Sequence, residues 1–484
     1  MTTSIAGTYV PIAPMRITDT RSGSGYPNAG SPIGNGGAIN VQLSGVGNLP
    51  TSGISAVVLN VTVVNPTGPS FVTVFPEGAI QPLVSNLNFT AGETLANLVT
   101  VELGSQGGVT IYNHSGLANI VVDAEGYYTT TPQAFGLYNP VNPLRILGSL
   151  ASGITLSAGM TTAVSVAGVD GVPADASAVV ANVTAAGSTG PGYLSVFPAP
   201  DSGLSTPPSA SNVNFAAGQV IGNRVIIPVG IAGQIEVFNY AGTVRVDVDL
   251  DGYYTGSSGE LGSAFVPLSP TRFTDTRVAI NGSTISPDSS ESFNFLSDHI
   301  PTTATALLSN VTVVAGGSPG YLSVYPVNLS TPPEVSDIDF ASAAIDQNLT
   351  VAQLSGAATE LFNSGAVPLN VVIDAFGYFA PPPPAVMIAA NPISITADDI
   401  STLTLTITVT TGSGVAFDDP VTISLSPNTL GACGMSSFAG STNALGQVTS
   451  TYTASNTPGL CTITATEANG GTMGSTVITQ TPTG

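Results

Sequence analysis

Apolar and polar side chains alternate along most of this chain with a period of two. In YLSVFP (Tyr193–Pro198), Leu194 and Val196 fall on one face of an extended strand, while Tyr193, Ser195 and Phe197 fall on the other. Such runs are short, rich in Val, Thr and Tyr, and bounded by Gly, Pro and Asn. No stretch carries a helical period. The pattern predicts an all-β chain.

The strands recur in blocks. One block reads VPIAPMRITDTR … AVVLNVTVV … FVTVFP … SNLNF … VTIYN … NIVVDAEGYY, and the same order returns twice, at NPVNPLRIL … RVDVDLDGYY and at VPLSPTRFTDTR … NVVIDAFGYF. The leading arginines are Arg16, Arg145 and Arg272, the asparagines of the NVT triplets Asn60, Asn182 and Asn310, and the aspartates before Gly-Tyr or Gly-Tyr-like ends Asp123, Asp249 and Asp374. Each block is long enough for its own core. We expect about eight or nine strands per block, forming a β-sandwich or jelly-roll-like unit, with a closed barrel as the alternative. The predicted domains are residues 1–131, 137–256 and 265–380, followed by a different β-domain at 385–484. Segments 129–136 and 255–264 separate the blocks. The prolines of APPPP (380–384) favour a stiff extended spacer, so the blocks read as four modules in a row.

RITDTR, LNVTV, SNLNF and DAEGYY together resemble a repeat module of secreted proteins of actinobacteria and related groups, at times attached to cell-wall enzymes. The resemblance implies an extracellular β-module. The second block departs from it, since Arg145 is followed by Ile146, Leu147 and Gly148 with no DTR. In the tail, STLTLTITV, TNALGQV and TPGLCTITAT resemble the bacterial immunoglobulin-like domains of invasin and intimin type.

Composition narrows the function classes. Of 484 residues 43% are hydrophobic and only 7% charged, so the outer faces must be largely Ser, Thr, Asn and Gly. The seven basic residues are all arginine, against 29 carboxylates, for a net charge of −22. Such a chain repels nucleic acid and anionic membranes. No apolar run is long enough to insert as a membrane helix. The N-terminal segment has no signal-like pattern. Either a leader was removed or the protein leaves its cell by another route, such as a virus particle.

The arginines define the main candidate chemistry. If the first and last strands of a block are neighbours, Arg16 can grip Asp123, Arg145 can grip Asp249 and Arg272 can grip Asp374, each by two parallel hydrogen bonds that lysine could not make. Recurrence once per block favours a structural brace over a catalytic or ligand-binding group. The inner Asp19/Arg21 and Asp275/Arg277 read as a local loop clamp that the fold can do without, since the second block lacks it. Asp247, Asp249 and Asp251 share one strand face and match the opening of a calcium loop, DxDxDG, but the twelfth position is Ser258; Ca2+ is therefore the lesser reading there. His114 and His299 read as loop residues without a catalytic motif. Tyr127/Tyr128, Tyr253/Tyr254 and Tyr378/Phe379 read as packed aromatics, with sugar stacking as the alternative. Asn60, Asn182 and Asn310 are expected to satisfy backbone groups at a strand bend. Cys433 and Cys461, the only cysteines, are expected to form a disulfide in the tail, which points to an oxidising location.

The expectation is a non-enzymatic extracellular or cell-surface structural protein, without catalytic residues or cofactor. It would act as stalk, filament or adhesin subunit through contact with itself or other surface proteins. Unpaired strand edges offer a route to self-assembly. The alternatives are a virion tail or capsid-decoration protein, and a set of carbohydrate-binding modules with glycans as partners.

Overall fold

In the computed structural model of the chain, the residues described are 6–131, 135–148, 154–201, 206–257, 261–314, 316–382, 385–411, 414–415, 419–427, 433–434, 439–443, 446–468 and 471–483. Parts of the predicted spacers and of TNALGQV lie outside them. Apart from three 3-10 turns, the regular elements among the described residues are all strands, joined by turns and loops. It divides into two compact units, Met1–Ala380 and Pro381–Gly484.

The first repeat has eight strands: β1 (Thr8–Asp19), β2 (Gly37–Gln42), β3 (Ile54–Val64), β4 (Ser70–Pro76), β5 (Leu87–Phe89), β6 (Thr94–Glu102), β7 (Gly108–Asn113) and β8 (Asn119–Thr129). Strand β1 pairs with β8, β2 with β7, β3 with β6 and β4 with β5, all antiparallel. The result is two four-stranded sheets ordered 1-8-3-6 and 2-7-4-5. That is the nested pairing of a jelly roll, two open sheets rather than a closed barrel. The second and third repeats keep the same order, and the second adds a short strand, Ile154–Leu156, on Val244–Val246.

Strand β3 shows how the sequence builds the unit. Val57, Leu59, Val61 and Val63 point into the repeat's own sandwich and join its core with Val72, Val74, Ile111 and Ile120. The alternate residues Ala56, Val58, Asn60 and Thr62 are buried as well. They cannot be facing solvent, so a third layer must cover the 1-8-3-6 sheet.

That layer is the other two repeats. Ala56 and Val58 of the first repeat pack with Ala178 and Val180 of the second and Ala306 and Leu308 of the third, in one cluster drawn from all three. Six fully buried rings lie at its centre: Tyr9, Tyr128, Tyr138, Tyr254, Phe265 and Phe379. Each repeat supplies the aromatic that opens its first strand and the one that closes its last. The glycine of each DxxGYY-type ending explains itself here. A Cβ on Gly126, Gly252 or Gly377 would sit 2.2, 2.4 or 2.4 Å from the ring or hydroxyl of Tyr9, Tyr138 or Phe265. The connecting chain closes over the same centre, with Tyr9 N bonded to Gly136 O (2.8 Å), Tyr138 N to Ser263 O (2.8 Å) and Gly7 N to Phe265 O (2.8 Å).

The expectation of repeats strung in a row is therefore corrected. The three jelly rolls bury a shared core, and the short segments between them belong to it instead of acting as spacers.

In the second unit one sheet contains Ala385–Asn391, Thr402–Thr411, Gly414–Val415 and Gln447–Thr453, and the other Ser394–Thr396, Met473–Thr481, Gly459–Glu467, Pro420–Pro427 and Ala439–Ser441. Leu405, Ile407, Tyr452, Ile463 and Ile478 fill the space between them. Cys433 and Cys461 are disulfide-bonded, with Cα atoms 5.2 Å apart. Among the described residues no helix is long and apolar enough to cross a membrane.

Candidate functional site: the seams between repeats

The arginine–aspartate pairs stand on the covered face of each 1-8-3-6 sheet. Arg16 lies directly opposite Asp123 across β1 and β8, and Asn60 lies opposite Asp123 on β3. The guanidinium donates Nε–H to Asp123 Oδ1 at 2.9 Å and Nη2–H to Oδ2 at 3.1 Å. Arg145 holds Asp249 at 2.7 and 2.9 Å, and Arg272 holds Asp374 at 2.8 and 3.1 Å. Burial raises the Asp123 and Asp374 carboxyls even though each faces its arginine.

Each pair also touches the next repeat. Asp249 Oδ2 accepts the amide of Ser336, Asp374 Oδ2 accepts that of Ser85, and Arg16 Nη2 donates to the carbonyl of Ser209. A cyclic order follows. The loop before Leu87 docks the first repeat on the third, that before Val213 docks the second on the first, and that before Ile338 docks the third on the second.

The asparagines complete each seam. Asn60, Asn182 and Asn310 donate to the carbonyls of Ser211, Ser336 and Ser85, at 2.6, 2.6 and 2.8 Å, all in the neighbouring repeat. Their own Oδ1 atoms accept from Asn223, Asn348 and Asn97. Those three in turn accept the amides of Leu98, Arg224 and Leu349 across the seam. These asparagines thus pair with the neighbouring repeat and not with a bend in their own strand. They are 1% exposed, so the NVT triplets are closed to glycosylation.

The three seams differ at one place. Where the third repeat meets the second, Arg224 is fully buried between Asp251 and Asp337 and hydrogen-bonds both. Burial raises both aspartates. Where the second meets the first, the corresponding residues are Leu98, Glu125 and Asn212. Asn212 Nδ2 donates to Glu125 Oε1 at 2.7 Å, and burial lifts the Glu125 carboxyl to about 8. Where the first meets the third they are Leu349, Phe376 and Asn86. One seam is ionic at this place, one sets an acid against an amide, and one sets Leu349 and Phe376 beside Asn86, whose Nδ2 has no hydrogen-bond partner among the described residues. The sequence reading passed over Arg224. The available signal was a lone arginine inside the apolar run VIGNRVIIP.

The second repeat replaces its missing DTR. At the place of Asp19 it has Gly148, and Asp247 from the last strand enters that space, its Oδ1 2.1 Å from where a Cβ on Gly148 would lie. Asp247 comes within 4.0 Å of both Arg145 and Arg245, as Asp19 and Asp275 come within 3.7 and 3.6 Å of Arg16 and Arg272. Every repeat therefore keeps a second carboxylate beside its arginine, but the hydrogen-bonded clamp of Arg21 on Asp19 and Arg277 on Asp275 has no counterpart in the second repeat, where Arg245 Nε and Asp247 Oδ1 make no hydrogen bond among the described residues. Asp247, Asp249 and Asp251 do share a face, but that face meets the guanidinium groups of Arg145, Arg245 and Arg224. Among the described residues, no group of three or more His, Cys, Asp or Glu is placed to hold a metal ion.

His114 stacks on Phe71 with ring centres 4.6 Å apart, and Tyr240 stacks on Tyr193 at the matching place in the second repeat, at 4.5 Å. His299 ends a 3-10 turn in a left-handed conformation. Tyr128 and Tyr254 bring their hydroxyls within 2.5 Å in the axial core, which removes both from any sugar-stacking surface. Clefts open at two seams. One, between the second and third repeats, has a volume of about 70 Å3 and is lined by Arg145, Arg245, Asp247, Tyr321 and Asp339. The other, between the first and third, reaches about 400 Å3 and is lined by Leu83, Arg272, Arg277, Val314 and Ile345 among others.

No family model matches the chain, and no curated protein matches it. Among solved structures, the native conformation of the E. coli alpha-2-macroglobulin aligns at 9% identity with a TM-score of 0.16, covering 99% of this chain and 34% of that one. This chain thus spans about a third of that protein, and so poor a superposition defines neither a shared fold nor a shared role.

Proposed function

We propose that the protein is a non-enzymatic extracellular or cell-surface binding protein of adhesin type. Its three-jelly-roll unit would present a rigid surface to a partner, and the disulfide-bonded β-domain would act as a companion module. The observation that carries this reading is the use of charge. All seven arginines lie within 4.0 Å of an aspartate, and the best-buried of these pairs sit in the seams. These groups hold repeats together and leave little for turnover. A compact head also suits binding better than the stalk that a row of modules would form. The short edge strands β5, Val213–Phe215 and Ile338–Phe340 run against neighbouring repeats, so edge-to-edge growth into a filament has fewer open templates.

The test is a binding screen of the full chain against peptide and glycan arrays, beside a panel of hydrolase substrates. Saturable binding without turnover supports the reading. Turnover that survives repurification, or an absence of binding on every surface, defeats it.

A further inference from the structure

The three seams have the same construction, yet one is left open. The loop that docks the second repeat reads STPPSAS and that of the third STPPEVS, whereas the first repeat has IQPLVS. The seam closed by the third repeat leaves about 70 Å3, while that closed by the first leaves about 400 Å3, the size of a ligand site. Arginine exposure follows the same division. The side chain of Arg272 is 28% exposed, against 14% for Arg16 and 12% for Arg145.

The open seam is chemically two-sided. Its wall is aliphatic, with Pro82, Leu83, Val314 and Ile345. Leu83 is 91% exposed, and Ile80 on the same loop is 95% exposed. Two side chains so bare on one short loop have no role in the fold, and their hydration is a standing cost that a partner would relieve. At the other side stand Arg272 and Arg277. Each spends Nε and Nη2 on its own aspartate, Asp374 and Asp275 respectively. Among the described residues the Arg277 Nη1 group makes no hydrogen bond, and a guanidinium edge of this kind takes up a carboxylate or carbonyl.

We infer that this cleft binds an extended segment of a partner protein in which a carboxylate side chain lies next to an aliphatic one, the carboxylate on Arg277 and Arg272 and the aliphatic group against Leu83 and Ile345. A sugar is the poorer occupant. Among the described residues Phe71 is the only aromatic ring in the lining, and it already has a face covered by His114. A second copy of this chain is disfavoured by the net charge of −22 that both would carry. The inference rests on the binding role proposed above and names its site and ligand class.

The experiment uses an array of labelled 12-residue peptides with central Asp-Leu, Glu-Ile, Asn-Leu, Lys-Leu or Asp-Ser pairs, probed with the full chain and followed in solution by fluorescence anisotropy. The acid–aliphatic peptides should bind at least tenfold more tightly than the Asn-Leu, Lys-Leu and Asp-Ser controls. Leu83→Ser and Arg277→Gln should each weaken them about tenfold, with Leu83→Ser leaving the melting temperature unchanged. Equal binding by the Lys-Leu series, or unaltered binding by both variants, overturns the site. If no peptide binds while a glycan array gives saturable hits, this inference falls and the adhesin reading stands. If neither array binds, both fall.

Discussion

Replacing Arg224 by leucine tests whether the seams are held by specific pairing or by general burial. The substitution installs the residue that Leu98 and Leu349 supply at the matching places, so the shape is one the seam already accommodates twice. It leaves Asp251 and Asp337 buried without their cation. Breaking a buried ion pair from one side costs about 3–5 kcal/mol. With an unfolding entropy of about 2.1 cal/mol/K per residue over a 380-residue unit, or roughly 0.8 kcal/mol/K, the expected fall in Tm is about 4–6 °C. Calorimetry should find the loss at pH 7.5 and a smaller one at pH 5, because uncompensated buried carboxyls take up protons more readily. The triple variant Arg224→Leu, Asp251→Phe, Asp337→Asn rebuilds this seam on the pattern of Leu349, Phe376 and Asn86, and should recover most of the deficit. A single variant as stable as the parent, or a triple variant no better than the single, refutes the argument.

Four further outcomes follow from the same geometry. Arg145→Ala should lower the stability of the three-repeat unit by about 3–5 kcal/mol in urea titrations, since it strips a mostly buried Asp249 of both hydrogen bonds and loosens the Ser336 amide it holds. Glu125 is raised from 4.5 to about 8, so its contribution is full below pH 4.5 and is lost as pH climbs towards 8; Glu125→Gln should flatten that part of the stability–pH curve, and an unchanged slope would mean the group is charged in the folded state. Cys433→Ser should destabilise the tail domain by about 3–4 kcal/mol from the 28-residue separation it closes, read as a lower-temperature transition in calorimetry. Gly377→Ala drives a methyl group into the Phe265 ring and should give a chain that fails to reach a cooperative melt, whereas Gly23→Ala, with open space around it, should cost little beyond its left-handed backbone.

The strands, the repeat order and the partners of the leading arginines could be read from one chain because they depend on local periodicity and on recurrence. Arg16 and Asp123 both interrupt apolar runs, and each needs an opposite charge within reach. Ring closure was harder to see because a residue facing another repeat looks like a residue facing its own core. The signal lay in β3. A sandwich strand with one wet face should alternate, yet AVVLNVTVV is apolar or small at nearly every position. Burial on both faces implies a further layer. Asn60 then marks where that layer's backbone arrives, since an amide in such a run must find partners outside its own sheet. The clefts could not be foreseen, because their size depends on loop conformations that carry no period.

The differences among the seams bear on why three near-copies share one chain. Each docking is head to tail, loop onto sheet, and such contacts close into a ring only if the last meets the first. Three identical seams would let repeats from separate chains exchange freely, each loop fitting every sheet. Here Asp337 on the Leu98 sheet would be a buried charge facing Glu125, and Asn86 on the Arg224 sheet would leave the guanidinium with Asp251 alone. Mismatched dockings thus add an unpaired buried charge or leave the guanidinium half-partnered, which the native order avoids, even though Asn86 Nδ2 and Glu125 Oε2 find no hydrogen bond among the described residues. The chemistry that departs from threefold symmetry in the buried trio fixes the order of the ring, while a separate departure, the IQPLVS loop in place of STPPSAS and STPPEVS, lines the wider cleft between the first and third repeats.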